Sequence, residues 1–512
     1  MACEAEMFEA DAEFDAADLG DHRLNARVAR VVRGIGAAPS SSLPEAFRDP
    51  SQLEGVYRLL ANPRVTPEAL LAGHRASTVS RAQAAGSVLV IHDSSSFEFG
   101  GAHKEGMGVV DPGSGSGFYS HFSLCVSEGN GRVLGMGWMH LWKRTGVARG
   151  KRPQQESQYD PDRESLRWND AVHDSGDDLK LGGVENIVHV MDREGDCLEL
   201  LSDMREHAHD FVVRAKVNRR LEPGRRATEK KLFGAFDGCD VVATREIEVI
   251  RHKLRLAVCS AETSVGPSRL ASKKKVPAEA AGAPSKARKS LVAWSHQRLA
   301  TLEIRATTTT IYGGNGCHAH VPAEGLALNV VEVRETGDNL PAGVDPVHWI
   351  LLTTLPVDSP KAVERVVDIY RHRWLIEEFH KALKTGCRYE EHQFDSADRY
   401  VKMLVLYVPI ALQMLLMRWL ERNEPTAPAA LVLSADELDA LTAHEARRRK
   451  PLPIEPTVAD VFKVVARLGG HLTQNGAPGW LILSRGFQYL QNLASGWELA
   501  RLTQMAVPGQ IV

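Results

Sequence analysis

The stretch SVLVIHDSSS (residues 87–96) decides the fold, because it sets a short apolar run directly before an aspartate. The run VLVI is mostly β-branched and is bounded by polar residues, which predicts a buried central strand that ends at Asp93. The stretch ENIVHVMDREGD (residues 185–196) repeats the arrangement, with the run IVHVM followed by Asp192. Two buried strands that each end in a carboxylate predict a sheet with an acidic edge.

Strands and helices alternate on both sides of these runs. Residues 122–126 and 133–141 predict two strands joined by the turn EGNGR. Further on, residues 198–208 predict an amphipathic helix, and FVVRAK (residues 211–216) predicts another strand, as does HWILLTT (residues 348–354). Elements in this mixed order favour an α/β sheet covered by helices.

Two other regions differ from this core in composition. Residues 217–345 contain several segments with strand-like alternation and predict an inserted β-rich subdomain. Within it, residues 264–290 are rich in Lys, Arg, Pro, Ala and Ser, which predicts a linker or loop tip without a fixed structure. After residue 395 the pattern predicts helices only. We therefore expect three units: an N-terminal helical domain (1–75), an α/β domain (76–395) and a C-terminal helical domain (396–512).

Composition bounds the class of protein without assigning a function. The chain has 512 residues, 43% of them hydrophobic and 25% charged, with a formal net charge of −3, so any nucleic-acid-binding surface must be local. Its seven cysteines are isolated and odd in number, which argues against disulfides and zinc ribbons and favours a reducing cytoplasm. The acidic N-terminus lacks a signal-peptide pattern. Residues 403–420 are apolar but fall short of the roughly 20 residues that span a bilayer, so we expect a buried helix there.

The stretch IYRHRWLIEEFHKALKTG (residues 369–386) carries the candidate chemistry. It belongs to a predicted long helix that begins at Ser359 and Pro360, with Ser as the cap, and stops at Gly386. One face of that helix, an arc of about 80°, presents five polar side chains: Tyr370, Arg373, Glu377, Lys381 and Lys384. An exposed, salt-bridged helix face would show the same residue types, so this pattern alone leaves both interpretations open.

Three carboxylates could meet at the acidic edge of the sheet: Asp93, Asp192 and Glu377. Hard oxygen ligands of this kind suit Mg²⁺, and two such ions about 4 Å apart stabilise the attacking and leaving oxygens of a phosphoryl transfer. Each aspartate alone also fits a turn, where Asp bonds its own backbone. The sequence separations permit convergence without proving it.

For five histidines we favour structural roles, since no pair has zinc-ligand spacing supported by a third ligand: His92, His121, His372, His380 and His392.

The spacing along the helix resembles a known signature. Separations of 3, 4 and 7 residues are similar to the Y-R-E-K motif of bacterial insertion-sequence transposases of the DDE type, and the residues concerned are Tyr370, Arg373, Glu377 and Lys384. VIHDSSS and VMDREGD resemble that family's two aspartate motifs, and the similarity continues through LGDHRLNARVARV, VYRLLANP, FVVRAK, HWILLTT and VARLGGH. The resemblance implies a ribonuclease-H-like catalytic core with an inserted β-rich subdomain. In that core the three carboxylates bind two Mg²⁺ ions, for which Mn²⁺ substitutes.

The resemblance also implies roles in holding DNA. Tyr370, Arg373 and Lys384 match residues that hold the phosphate near the cleavage site, and Lys381 shares their face. Trp349 matches a tryptophan that stacks a flipped base, with an aromatic anchor in the core as the alternative. Two features depart from the family pattern: serines follow the first aspartate where threonines are common, and the insertion is longer than usual.

Four arginines have implied DNA contacts as well. Arg214 matches a hairpin-stabilising position, with an ordinary strand-edge cation as the alternative. Arg23, Arg27 and Arg58 match the N-terminal region that binds transposon ends, which assigns that role to the domain 1–75. On the spacing alone, the arginines near the start of the chain also fit a solvated helix face.

The activity that the resemblance implies is cut-and-paste transposition. The family nicks DNA at the transposon end with water, forms a hairpin with the freed 3′-hydroxyl, reopens it and joins the end to target DNA. The implied partners are double-stranded DNA at the inverted-repeat ends, target DNA and a second copy of the chain, because the region after residue 427 matches a dimerisation region used in synapsis. We expect a cytoplasmic, nucleoid-associated location. Two alternatives stay open: a Mg²⁺-dependent DNA nuclease without strand transfer, and a non-catalytic transposase-derived DNA-binding regulator.

Overall fold

The computed structural model describes the chain from Phe8 to Ala506, apart from several internal segments. Those segments are 101–103, 111–115, 145–163, 165, 224–229, 250–252, 256–291, 295–297, 314–321, 337–339 and 341–344. The predicted linker at residues 264–290 lies outside the described residues, so that expectation stays a prediction.

Helices occupy the two ends of the described chain, and strands alternate with helices in its middle. The helices are α1 (His22–Ala37), α2 (Leu43–Ala46), α3 (Pro50–Ala61), α4 (Pro67–Ala85), α5 (Leu166–Leu181), α6 (Leu198–Glu206), α7 (Pro360–Arg371), α8 (Trp374–Lys381), α9 (Ala397–Asn423), α10 (Ala435–Arg447), α11 (Val458–Leu468) and α12 (Trp480–Ala506). The strands are β1 (Ser87–Phe99), β2 (Gly108–Val109), β3 (Ser116–Ser127), β4 (Val133–Trp142), β5 (Asn186–Met191), β6 (Asp210–Arg214), β7 (Ala243–Val249), β8 (Lys253–Arg255), β9 (Val292–Trp294), β10 (Arg298–Ile311), β11 (Leu326–Thr336) and β12 (His348–Thr353). Mixed α/β architecture is therefore confirmed.

One large mixed sheet forms the centre of the molecule. Strand β1 pairs antiparallel with β3 and parallel with β5, β4 extends the sheet beyond β3, and β6 lies parallel to β5. The predicted hairpin and both predicted central strands are thus present. Helices α4, α5 and α6 pack on one face of the sheet, and α7 and α8 pack on the other.

Strands β7, β10 and β11 of the β-rich insertion extend the central sheet, whereas β8 and β9 pair with each other in a small two-stranded sheet. The order in the central sheet is β6, β12, β11, β10, β7, and each of these neighbours pairs antiparallel. Leu351 of β12 pairs with Arg214 of β6, so the insertion joins the core through the strand that follows it in sequence. Sequence alternation identified the strands but carried no information about their partners.

Strand β1 is longer than predicted, and Asp93 does not end it. Antiparallel pairing with β3 extends β1 to Phe99, and Asp93 lies opposite Phe122 in that pairing. The parallel pairing with β5 stops one residue before Asp93, at His92 and its partner Met191. Asp93 and Asp192 therefore occupy equivalent positions just beyond the parallel pairing. The predicted arrangement of two aspartates at one edge of this strand pair is thus present.

The predicted long helix is divided into three pieces. Helix α7 ends at Arg371, α8 begins at Trp374, and a π-helical turn (Ala382–Gly386) closes the segment. Its boundaries agree with the prediction, because the Ser359 hydroxyl accepts a hydrogen bond from the backbone N–H of Ala362 and the π-helical turn ends at Gly386. A cap of this type is worth about 1 kcal/mol.

Helix α9 joins the terminal helices to the sheet. By length and composition it could cross a membrane, yet 89% of its most apolar window is buried inside the protein, as predicted for a core helix. It packs against α3, α4, α11 and β4, and Lys402 in its first half donates hydrogen bonds to the carbonyls of Leu60 and Asn62. Helix α4 runs across the boundary expected at residue 75, so the first two predicted domains share a helix.

Candidate active site

Asp93 and Asp192 face a common space at the end of the β1–β5 pairing. Burial raises the pKa of the Asp93 carboxyl to about 7, the negative charge of Asp192 adds to the increase, and Arg373 opposes it. Asp192 follows β5 and accepts a hydrogen bond of 2.7 Å from the backbone N–H of Glu194, which fixes the turn after the strand. The electrostatic coupling indicates that the two carboxylates are close enough to repel each other.

Glu377 joins this pair through Arg373. The Arg373 guanidinium, at the break between α7 and α8, forms a salt bridge with Glu377 and is attracted to Asp93. Burial lowers the pKa of Arg373, but Tyr370, Glu377 and Asp93 together raise it above its ordinary value. Glu377 and Asp93 thus share one half-buried cation, Asp192 is coupled to Asp93, and we call these four residues the acidic cluster.

An aromatic and basic group lies beside the acidic cluster. The Tyr370 side chain is buried, and its ring meets the half-buried Trp349 ring edge to face, with centroids 5.2 Å apart. Arg214 at the end of β6 donates hydrogen bonds to the Tyr370 hydroxyl and, at 2.9 Å, to the carbonyl of His348. Burial raises the pKa of Tyr370, so the hydroxyl keeps its proton at neutral pH.

The two helix lysines point to different places. Lys384 bonds the carbonyl of Ser96 on β1 and lies 4.8 Å from the centroid of the Phe97 ring, so it stays on the side of the acidic cluster. Lys381 is 2.9 Å from Glu378 and lies over the Trp374 ring. Lys381 thus pairs with Glu378 rather than with Glu377, and its predicted contact with DNA stays a prediction. A lysine one turn beyond two neighbouring glutamates can pair with either, and Glu377 is already bonded to Arg373.

The N-terminal arginines lie on α1 and α3, which pack on α9 and, for α1, on α12. Arg23 is exposed, Arg58 is exposed and pairs with Glu54 at 2.6 Å, and Arg27 is half-buried beside a cavity of about 650 Å³ between α1, α3, α10 and α12. Among the described residues, no hydrogen bond or ion pair links these three arginines to the acidic cluster.

Sequence reasoning missed the position of one histidine. His380, assigned a structural role, lies with Nδ1 at 3.8 Å from an Asp93 carboxylate oxygen, and its Nε2 has no hydrogen-bond partner within the described part of the chain. Burial lowers its pKa to about 3, so the ring is neutral. His372 and His392 do have the structural contacts expected, with the Asp368 carbonyl at 2.9 Å and the Tyr407 hydroxyl at 2.8 Å. The sequence positions of these histidines did not indicate that His380 lies near Asp93.

The donor set of the acidic cluster fits hard divalent cations. Its ligand-type atoms are carboxylate oxygens from three separate elements, which suit Mg²⁺ or Mn²⁺ rather than a thiol- or imidazole-seeking metal. The raised pKa of Asp93 is what two partly buried carboxylates produce when a single arginine does not neutralise them. A divalent cation would supply the missing positive charge.

Comparison with protein-family models gives two matches. Residues 169–410 match the transposase DDE domain, a region that contains Asp192 and Glu377 and the strands and helices that carry them. The chain therefore carries a transposase DDE domain, a metal-dependent phosphoryl transferase domain whose family uses divalent metal ions and has a ribonuclease-H-like core. Residues 9–65 match the transposase DNA-binding family. The chain thus combines a transposase DNA-binding domain near its N-terminus with a transposase DDE domain.

Proposed function

We propose that this transposase carries out cut-and-paste transposition, with first-strand nicking, hairpin formation, hairpin opening and strand transfer at one site. The observation that carries the proposal is the coupling of Asp93 with Asp192 and, through Arg373, with Glu377, beside the group of Arg214, Trp349 and Tyr370. All four steps are phosphoryl transfers, so one set of ligands can serve them in turn. The site of action is the cytoplasm, where nucleoid DNA is accessible.

Asp93, Asp192 and Glu377 would hold two Mg²⁺ ions, with Mn²⁺ as a substitute. Bound there, such ions activate the attacking hydroxyl and stabilise the leaving oxygen. Asp93 comes from a central strand and Asp192 from the capped turn after β5, so both carboxylates are held on rigid elements. Arg373 restrains the Glu377 carboxylate through their salt bridge and is also attracted to Asp93, which links the third proposed ligand to the pair.

Three side chains would hold the phosphate next to the metal ligands. Arg373 offers a planar guanidinium that can bond two phosphate oxygens, Lys384 offers a point charge, and Tyr370 offers a protonated hydroxyl. All three lie on the segment that also carries Glu377, and Lys384 is held at the β1 strand by its bond to the Ser96 carbonyl. This arrangement favours binding the scissile phosphate between β1 and the α7–α8 break.

Trp349 and Arg214 favour a hairpin mechanism over simple hydrolysis. Hairpin formation bends one strand sharply and extrudes a base, and a partly exposed indole supplies a stacking surface for it. Trp349 contacts Tyr370 and Arg214 bonds the same tyrosine, so a stacked base would lie beside the phosphate-binding side chains. A nuclease without strand transfer would not need the group of Trp349, Tyr370 and Arg214. Such a nuclease remains the second candidate function because the same three carboxylates would support DNA hydrolysis.

The helical ends of the chain would recognise DNA and assemble the complex. Arg23 and Arg58 are exposed and Arg27 is half-buried on helices of the DNA-binding domain, and we propose that they contact the phosphates of the inverted repeats. The C-terminal helical domain would form the homodimer that brings two ends together before they are joined to target DNA.

The test is an assay of the purified chain with its own inverted repeats, target DNA and Mg²⁺, in which nicked, hairpin and joined products are separated. We expect all three products from the wild type, and none from Asp192→Asn or Glu377→Ala. Glu391→Ala is the matched control, because Glu391 is also an arginine-paired glutamate but lies on the surface. Cleavage without joining would identify the nuclease, and binding without cleavage would identify the regulator.

A further inference from the structure

The face of the sheet opposite the acidic cluster carries a second group of ligand-type side chains. His173 of α5 meets Asp203 of α6 and His207 at the end of α6, where the two helices pack. His173 Nε2 lies 2.7 Å from one Asp203 carboxylate oxygen, and His207 Nδ1 lies 3.4 Å from the other. The candidate ligand atoms of the three side chains all lie within 4.8 Å of one another.

The three side chains offer metal-ligand atoms as well as ordinary His–Asp contacts. The two imidazole rings stand 4.8 Å apart, centroid to centroid, so two protonated rings would repel each other across one carboxylate. Two neutral rings can each donate one N–H to an acceptor such as Asp203, and each keeps a lone pair on its other nitrogen that only a cation or a further donor can use. A single divalent cation uses all three side chains at once, because it accepts electron pairs from both rings and is neutralised in part by Asp203.

We propose that His173, Asp203 and His207 bind a divalent transition metal of the Zn²⁺ class, at a site separate from the acidic cluster. Two imidazoles and one carboxylate are a common set of protein ligands for such ions, with a water in the remaining position. Mg²⁺ prefers oxygen ligands and retains its water, so it competes poorly here. The chain would then carry two sites of opposite metal preference on the two faces of one sheet.

The surroundings hold the proposed ligands in place. The Asp203 carbonyl accepts a hydrogen bond of 2.9 Å from the Nδ1–H of His207, which orients the ring and leaves the Nε2 lone pair for a metal, the kind of contact that commonly fixes metal-binding histidines. The His173 ring lies 5.3 Å from that of His209, and a Cβ at Gly176 would come within 2.7 Å of the His209 ring. Glycine disfavours a helix interior, and here it lets α5 approach the histidines closely. A bound ion would tie α5 to α6.

The test is Co²⁺ binding to the full chain carrying Asp192→Asn and Glu377→Gln, which removes two carboxylates from the acidic cluster. The visible spectrum of Co²⁺ reports nitrogen ligands and coordination geometry. We expect a single equivalent to bind, Zn²⁺ to displace it, and a large excess of Mg²⁺ to leave it bound.

Substitutions in the same background assign the site. His207→Ala removes a half-exposed ring and should weaken Co²⁺ binding by roughly tenfold or more, and His173→Gln should do the same without a large change in volume. His22→Ala is the matched control, since His22 is an exposed histidine at the start of α1. No Co²⁺ binding in this background, equal competition by Mg²⁺, or unchanged binding in both ligand variants would overturn the proposal and leave an ordinary His–Asp–His contact.

Discussion

Lowering the pH from about 8 to about 6 should weaken Mg²⁺ binding at the acidic cluster by about tenfold. Because burial and the charge of Asp192 raise the pKa of Asp93 to about 7, the metal-free protein holds a proton on this carboxyl below that pH. A cation that binds Asp93 must displace the proton. The ionised fraction of a group with this pKa falls from about nine-tenths at pH 8 to about one-tenth at pH 6, which gives the tenfold change.

Calorimetric titration with Mg²⁺ in two buffers of different ionisation enthalpy measures both the affinity and the protons released. We expect about one proton per binding event at the lower pH and almost none at the higher pH. Asp93→Asn should bind Mg²⁺ more weakly and lose the pH dependence, whereas Glu98→Gln on the same strand should behave as the wild type. An affinity that is constant across this range, or proton release that persists in Asp93→Asn, would refute the reasoning.

Three other perturbations have defined outcomes. Trp349→Ala should leave first-strand nicking intact and reduce hairpin formation by roughly 5- to 150-fold, which corresponds to the loss of about 1–3 kcal/mol of base stacking. Trp349→Phe should retain most of the hairpin formation, and an equal loss of nicking in gel assays would refute this prediction. Lys384→Ala should slow nicking more than Lys381→Ala, because only Lys384 lies beside β1, and equal rates would contradict the contacts described. Acid should destabilise the fold, because burial lowers the pKa of His121 to about 3 and that of His392 to about 4. Below about pH 6.5 the unfolded chain therefore takes up protons that the folded chain does not, and the free energy of unfolding decreases by about 1.4 kcal/mol per histidine and pH unit. Urea midpoints that stay constant as the pH is lowered from about 6.5 to about 4 would contradict this expectation.

Local patterns predicted the elements of this fold well. The apolar runs before Asp93 and Asp192 are the buried strands β1 and β5, and the Ser359 cap and Gly386 mark the ends of the segment that carries Glu377. These features depend on neighbouring residues, and so they can be recognised from sequence. Pairing with distant strands could not be recognised in the same way, which is why β1 continues past Asp93 and why the insertion joins the central sheet.

Side-chain partners were harder to predict than positions. An ideal helix placed Lys381 on the face of Glu377, but Glu378 and Trp374 lie within reach of the same lysine and bind it. The pair His173 and His207 gave no zinc-like spacing, because 33 residues separate them and only the packing of α5 on α6 brings them together. The spacing of Asp203 and His207, one helical turn apart, was the single local sign of that group.

Asp93 is the most direct point at which to test the proposed metal site, because it lies outside the matched DDE region and its place rests on geometry. The measurement is the rate of first-strand nicking by Asp93→Asn under Mg²⁺, with Glu98→Gln as the control. We expect Asp93→Asn to lose roughly a thousandfold in rate, equivalent to about 4 kcal/mol of transition-state stabilisation, with the control unchanged. A rate within about twofold of the wild type would contradict a site built from Asp93, Asp192 and Glu377.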